Sequence, residues 1–248
     1  LMAVSVAAAR VIKESGGDIY KKTKFLAGHS LGEYSALVIN GSLEVKDAAK
    51  LLDIRGRSMQ NAVPPGKGAM AALIGSNIEQ AKEVVNLSRQ DDVCQIANDN
   101  APGQVVISGS KAAIDRAIPI SKELGIKRCI LLPVSAPFHC ELMSPAAEKM
   151  RDALKDISFK EFKFPIISNV TAEPEFNQKK IKELLVKQVT NMVRWRESIN
   201  FMISNQISSF IELGSGKVLS GIVKRINQDC SAISVEGPDD LDKLFNLF

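Results

Sequence analysis

The 248-residue chain is poor in the residues that build metal centres and covalent staples. It has four cysteines, two histidines and one tryptophan. Cys94, Cys129, Cys140 and Cys230 form no C-x-x-C pair, which argues against a zinc site or a disulfide framework and for a reducing compartment. No apolar run is long enough to span a bilayer, so a membrane protein is not expected. A net charge of +4 is too mild to suggest nucleic acid, although clustered basic residues would suit an acidic partner. Internal repeats and low-complexity tracts are absent. Gly214-Ser215-Gly216-Lys217 resembles half a phosphate loop but fails the Walker A pattern, with Ile211 where a glycine is needed and Val218 after the lysine. What remains is ordinary globular composition, 45% apolar and 24% charged, enough for one large domain or a large and a small one.

The chain is organised around Phe25-Leu26-Ala27-Gly28-His29-Ser30-Leu31-Gly32-Glu33-Tyr34. A short apolar strand runs into G-x-S-x-G and then into a helical pattern, the context of a nucleophile elbow. The glycines permit a tight turn and close backbone approach. The N–H groups that open the following helix favour an oxyanion beside Ser30.

Upstream, Leu1–Ala9 could pass for a signal segment. It continues into Arg10-Val11-Ile12-Lys13-Glu14-Ser15-Gly16-Gly17, which reads as a buried helix with a glycine stop. Downstream, a helix is predicted from Val45 to Asn61, with Ala48, Leu51, Leu52, Arg55 and Met59 on its inward stripe and Arg57 elsewhere. An unpartnered buried guanidinium would cost ~3–5 kcal/mol. Arg55 therefore needs either a core carboxylate or, as its nearness to the elbow favours, a ligand carboxylate held by its fork.

Pro64-Pro65-Gly66-Lys67-Gly68 marks a linker. Beyond it come a strand over Ala69–Gly75, a helix opened by an Asn77/Gln80 capping box, and strands over Val93–Asn98 and Gln104–Ser108. A helix capped by Ser110 runs to Gly125, kinked or delayed by Pro119, and a strand covers Lys127–Val134. The order β-α-β-β-α-β predicts a ferredoxin-like small domain over residues 64–133, inserted into a larger α/β domain made of 1–63 and 134–248. In the returning chain a helix runs to Lys155, a strand covers Phe162–Ser168 and a helix Lys179–Val189. Another helix lies within Asn191–Asn205, then a strand over Phe210–Leu213 and a final long helix.

A serine hydroxyl needs a base. His29 precedes the nucleophile and should leave the elbow on another side, to pack or hydrogen-bond behind the site. His139 lies where the chain returns from the small domain, at a junction where clefts form, and is the expected base. No histidine follows it, whereas an α/β-hydrolase places its histidine late, so an ordinary esterase fits poorly. No acid to orient His139 is evident; a carbonyl would suffice if the leaving group were as good as a thiolate.

Five segments in order carry a resemblance: Gly28–Leu37, Arg55–Gln60, Asn100–Gly109, Pro137-Phe138-His139 and Gly214–Leu219. The chain resembles, nearly end to end, the malonyl-CoA:acyl carrier protein transacylase family of type II fatty acid synthesis. The resemblance implies an α/β-hydrolase-like large domain with a ferredoxin-like insertion. It implies Ser30 as the acylated serine, His139 as base, the Gln188 main-chain carbonyl orienting it, and the Leu31 N–H as oxyanion donor. Arg55 matches the arginine that binds the malonyl carboxylate. Phe138 matches malonyl-selective rather than methylmalonyl-selective members, and His29 and Asn100 complete the expected substrate-binding set.

No metal or redox cofactor is implied, the coenzyme A thioester being a substrate. The expected partners are malonyl-CoA and an acidic acyl carrier protein. The carrier would meet rim residues such as Lys67, Lys127, Arg128, Arg194, Arg196, Lys217, Lys224 and Arg225. A cytoplasmic monomer is expected, in an organelle if a targeting segment was removed. Family members begin with a strand and a Gly-Gln-Gly loop whose glutamine is a second oxyanion donor. This chain starts after that point, which suggests a truncation, a processed product or a piece of a longer protein, with a bare sheet edge. Two other functions compete: a serine hydrolase or thioesterase, which has no use for a buried Arg55, and an inactive fragment.

Overall fold

The computed structural model describes residues 1–15 and 19–245. The glycine stop expected at Gly16-Gly17 lies outside the described residues. Helix α1 (Met2–Glu14) buries Val6, Ala9 and Ile12, while Val4 and Val11 are exposed. The buried helix read from the sequence is covered along one stripe, with its other apolar residues facing outward. A short α2 (Ile19–Lys22) leads to strand β1 (Leu26–Ala27), then helix α3 (Leu31–Asn40) and helix α4 (Val45–Asn61). α4 has the predicted bounds, and its stripe of Ala48, Leu51, Arg55 and Met59 is buried.

The segment after the Pro-Pro-Gly linker comprises β2 (Gly68–Ile74), α5 (Ile78–Arg89), β3 (Cys94–Ala101), β4 (Gln104–Ser110), α6 (Lys111–Glu123) and β5 (Arg128–Leu131). Its antiparallel sheet has the order β3-β4-β2-β5. The Asn77/Gln80 capping box forms, with both reciprocal bonds present. β3 runs three residues further than its predicted end because irregularities at Ile96/Asn98 and Asp99/Ala101 let it bend and keep pairing. α6 continues through Pro119 without starting late; buried Ala113, Ile114, Ala117 and Ser121 anchor both sides of the proline. Ser110 precedes α6 but its side chain does not cap it, since Oγ bonds the Val93 carbonyl instead.

A short 3-10 turn leads into α7 (Ser144–Lys155). The strand expected over Phe162–Ser168 shrinks to β6 (Ile166–Ile167), which pairs parallel with β1 and antiparallel with an unforeseen β7 (Pro174–Glu175). α8 (Gln178–Gln188) and α9 (Trp195–Ser204) follow. β8 (Ser209–Leu213) leads to α10 (Val218–Ile226), which is nine residues long and not the expected long helix. The chain turns after Asn227 into β9 (Ser231–Val235), parallel to β8, and closes with α11 (Leu241–Phe245). The alternating Ser231-Ala232-Ile233-Ser234-Val235 needs β8 beside it to become a strand. β1 pairs with β6 on one side and with no described strand on the other.

Separate apolar clusters hold these parts. One is drawn from α3, α4, α7 and α8 with β6; a second lies wholly within residues 69–129, between the antiparallel sheet and α5 and α6. The chain is a mixed α/β protein, and none of its described helices is long and apolar enough to cross a membrane.

Candidate active site

Ser30 stands at the end of β1, directly before α3, with φ 52 and ψ −107. Such a backbone costs about 1–3 kcal/mol and persists only where its surroundings over-determine it. Two features do so. A Cβ on Gly28 would fall 2.0 Å from the carbonyl carbon and oxygen of Gly32, so only glycine lets the turn close. Asn169, fully buried just past β6, accepts from the Ser30 N–H at 2.6 Å and donates from Nδ2 to the Gly28 carbonyl at 2.8 Å. Since β1 and β6 are parallel, both side chains emerge at the same carboxyl ends, where open α/β sheets place their ligands. Gly32 has no such need, for a Cβ there would meet nothing within 4 Å.

His139 also has a left-handed backbone, φ 59, and is buried. Nδ1 lies 2.8 Å from the Gln188 main-chain oxygen and Nε2 2.8 Å from Ser30 Oγ. A carbonyl can only accept, so Nδ1 carries the proton, Nε2 accepts, and the serine hydroxyl donates. The two residues, 109 apart in sequence, meet directly. Burial first, and then the Arg55 charge, push the imidazole down to about 3, so it is neutral throughout the neutral range.

Arg55 is buried on α4, with Arg57 on the same helix exposed and paired to Asp53. Its Nη2 donates to Ser30 Oγ at 2.9 Å and to Gln188 Oε1 at 3.0 Å, and the guanidinium lies 5.9 Å from the Tyr34 ring. Among the described residues no carboxylate forms an ion pair with it, and its buried Nε–H has no acceptor. A core salt bridge, one of the two roles open from the sequence, is therefore not made.

Gln188 is fully buried and serves through both its main chain and its side chain: Nε2 donates to Ser30 O at 3.0 Å and to Glu33 Oε2 at 2.7 Å. Glu33, also fully buried, is pushed up to about 7 by that burial against the opposing Gln188, Asn169 and Arg55. The Leu31 N–H opens α3 and makes no hydrogen bond among the described residues. His29 leaves the other side of the turn: Nε2 meets Asn100 Oδ1 at 2.8 Å and the ring packs edge-on to Trp195 at 5.4 Å. His29 and Asn100 thus meet each other, while Phe138 is half-buried between two apolar clusters.

A cavity of about 480 Å³ opens beside His139, between residues of α5 and β3 and the loop Thr190-Asn191-Met192. No three His, Cys, Asp or Glu side chains of the described residues are grouped as a metal would require. Of the basic residues suggested for a rim, Arg196 is spent on the buried Asp99 at 2.7 Å, Arg194 on Glu197 and Lys217 on Glu236. Lys127, Arg128, Lys224 and Arg225 are exposed.

Sequence reasoning missed Asn169, Glu33 and the side-chain half of Gln188. The available signal was Ser168-Asn169 at the end of the Ile166-Ile167 run, a polar pair where a parallel strand would finish.

Residues 1–236 match the acyl transferase domain family. The chain is 45% identical over 243 residues to the malonyl CoA-acyl carrier protein transacylase of Bacillus subtilis, spanning 98% of this chain and 75% of that protein. It superposes on an acyl-carrier-protein-S-malonyltransferase from Bartonella henselae with a TM-score of 0.96 at 46% identity, over 99% of this chain and 78% of that one. A malonyl-transacylase solved in complex with a type II PKS acyl-carrier protein matches with a TM-score of 0.96 at 41% identity, over 100% of this chain and 79% of that one.

Proposed function

The chain belongs to the acyl transferase domain family, and on that premise we propose that it moves a malonyl group from malonyl-CoA to the phosphopantetheine thiol of an acyl carrier protein, by way of a malonyl ester on Ser30. The observation that carries this reading is Arg55: a buried guanidinium beside the nucleophile that forms an ion pair with no carboxylate among the described residues. An acyl group with a free carboxylate completes it. A plain hydrolase would have no use for it.

In the first half-reaction Ser30 Oγ attacks the thioester carbon while its proton passes to His139 Nε2, along the 2.8 Å bond already in place. The Gln188 carbonyl holds Nδ1–H and keeps the tautomer. The oxyanion faces the Leu31 N–H at the start of α3. When the tetrahedral intermediate collapses the C–S bond breaks, and coenzyme A leaves with the proton from His139. The carrier thiol then repeats the steps in reverse. An imidazole as weakly basic as this one suits a thiolate, which departs with little help.

Residues 64–133 are read as a ferredoxin-like small domain, and 1–63 with 134–248 as an α/β-hydrolase-like large one. The order β3-β4-β2-β5 and the self-contained cluster over 69–129 support this. The cavity beside His139 lies where these parts meet and suits a pantetheine arm. Phe138, His29 and Asn100 are read as its acyl-side neighbours. Exposed Lys127, Arg128, Lys224 and Arg225 are read as the surface for an acidic carrier, an attraction that salt should weaken.

Intact-mass measurement after mixing with malonyl-CoA tests the reading. A single malonyl adduct, absent in Ser30→Ala and discharged by holo carrier protein, is expected. Folded protein that forms no adduct would sink it, and an adduct lost to water as fast as to thiol would make the chain a hydrolase.

A further inference from the structure

We propose that Glu33 is a positioning residue for acyl-group selection, acting through the Gln188 side chain on Arg55; the proposal rests on the malonyl-transfer reading above. Glu33 sits one turn into α3 and touches neither Arg55 nor Ser30 Oγ through any of its hydrogen bonds. Its Oε2 accepts from Gln188 Nε2 at 2.7 Å and from the Asn169 N–H at 3.3 Å.

An amide has a donor end and an acceptor end that differ little in shape. In the observed orientation Nε2 faces two acceptors, Glu33 Oε2 and Ser30 O, and Oε1 faces a donor, Arg55 Nη2 at 3.0 Å. Turned over, the amide would set N–H against guanidinium and oxygen against both carboxylate and carbonyl. The Glu33 contact is the charge-assisted one of the three at Nε2 and Oε1 that does not involve Arg55 itself, so it is the anchor that fixes the others. With it in place the guanidinium is held through Nη2 beside Ser30 Oγ, where a substrate carboxylate would have to meet it. The anchor is kept despite a cost, because Glu33 Oε1 is buried with no partner. A packing role alone would be better served by an apolar side chain.

The relay concerns only acyl groups bearing a free carboxylate. An acetyl group does not engage Arg55, and its transfer should ignore Glu33.

The test compares acylation of Ser30 by malonyl-CoA and acetyl-CoA in the full chain. Glu33→Met keeps the length and removes the acceptor; Glu33→Gln keeps one acceptor oxygen. Glu33→Met is expected to lower kcat/KM for malonyl-CoA about tenfold, the scale of one charge-assisted bond, through KM and not kcat, with acetyl-CoA kinetics unchanged. Glu33→Gln should restore most of the selectivity. Gln188→Leu, which leaves the main-chain carbonyl on His139 but strips the side-chain bonds to Ser30 O and Arg55, should slow both substrates and malonyl-CoA more, and adding Glu33→Met to it should cost no further selectivity.

Parallel losses on both substrates, additive effects, or a Glu33→Met protein with wild-type selectivity would each overturn the proposal. If Glu33→Met does not fold, Glu33→Leu takes its place: lost malonyl selectivity supports the relay and retained selectivity overturns it. Wild-type protein that forms no malonyl adduct would instead fail the parent reading. A wild-type adduct with unmoved variants fails this one alone.

Discussion

Replacing Asn169 by alanine should show how the reactive bend is held. The side chain makes two bonds to the turn, 2.6 Å from Oδ1 to the Ser30 N–H and 2.8 Å from Nδ2 to the Gly28 carbonyl. Alanine leaves both backbone groups without a partner. Each buried polar group so stranded costs about 1–3 kcal/mol. Gly28 is buried and would bear that cost in full, while half-buried Ser30 can recruit water, so the loss should be about 2–4 kcal/mol.

Part of it will be recovered if the turn relaxes from φ 52, a strain of about 1–3 kcal/mol. Relaxation carries Oγ away from His139 Nε2, and a displacement near 1 Å lowers the acylation rate about 100-fold. Urea unfolding reads the first effect and single-turnover release of coenzyme A the second. Asn169→Asp separates the two bonds: it keeps the acceptor for Ser30 but sets oxygen against the Gly28 carbonyl. It should lose as much stability as alanine while retaining more of the rate. An Asn169→Ala protein within about 0.5 kcal/mol of wild type, acylating at the wild-type rate, would refute the view that this side chain holds the turn.

Arg55→Ala should cut kcat/KM for malonyl-CoA by roughly 100-fold or more, the scale of about 3–5 kcal/mol for an unpaired partner charge, and leave acetyl-CoA the better substrate; competition between the two reads it directly. Gly28→Ala drives a Cβ into backbone atoms that no rotamer can clear, so it should destabilise by about 3 kcal/mol or fail to fold. Gly32→Ala, in open space within α3, should be neutral or raise stability by up to about 1 kcal/mol in a thermal melt. With acetyl-CoA, whose transfer does not depend on Glu33, the acylation rate should show no acid limb near pH 6.5, because a base lowered to about 3 stays unprotonated well below that; a limb at 6.5 on that substrate would contradict the burial argument. Glu33 runs the other way. Its raised pKa contributes stability that is complete below about 4.5 and lost as pH rises through about 7. Glu33→Gln should therefore gain on wild type in urea unfolding between pH 5 and 8.

Several parts of this protein were legible in the residues because the physics behind them is local. A capping box joins positions three apart, and Asn77 and Gln80 close it as read. Helical periodicity needs only its own turn, so Val45–Asn61 appeared with its true ends and with Arg55 facing inward. The strand–turn–helix around Ser30 was equally local. The pairing of Ser30 with His139 was read from the residues themselves and the Gln188 carbonyl from the resemblance; the side-chain surroundings came from neither.

Tertiary structure decided the rest, because those contacts span distances that no window of sequence contains. Ser30 meets Asn169 across 139 residues and Glu33 meets Gln188 across 155. Short strands belong to the same class. Ile166–Ile167, Pro174–Glu175 and Ser231–Val235 are strands only because another strand lies alongside, whereas α4 and α5 carry their own hydrogen bonds. A buried carboxylate such as Glu33 reads as solvent-facing helix charge until the fold places Gln188 over it. The chain by itself specified which groups can react. Long-range packing specified what holds them still.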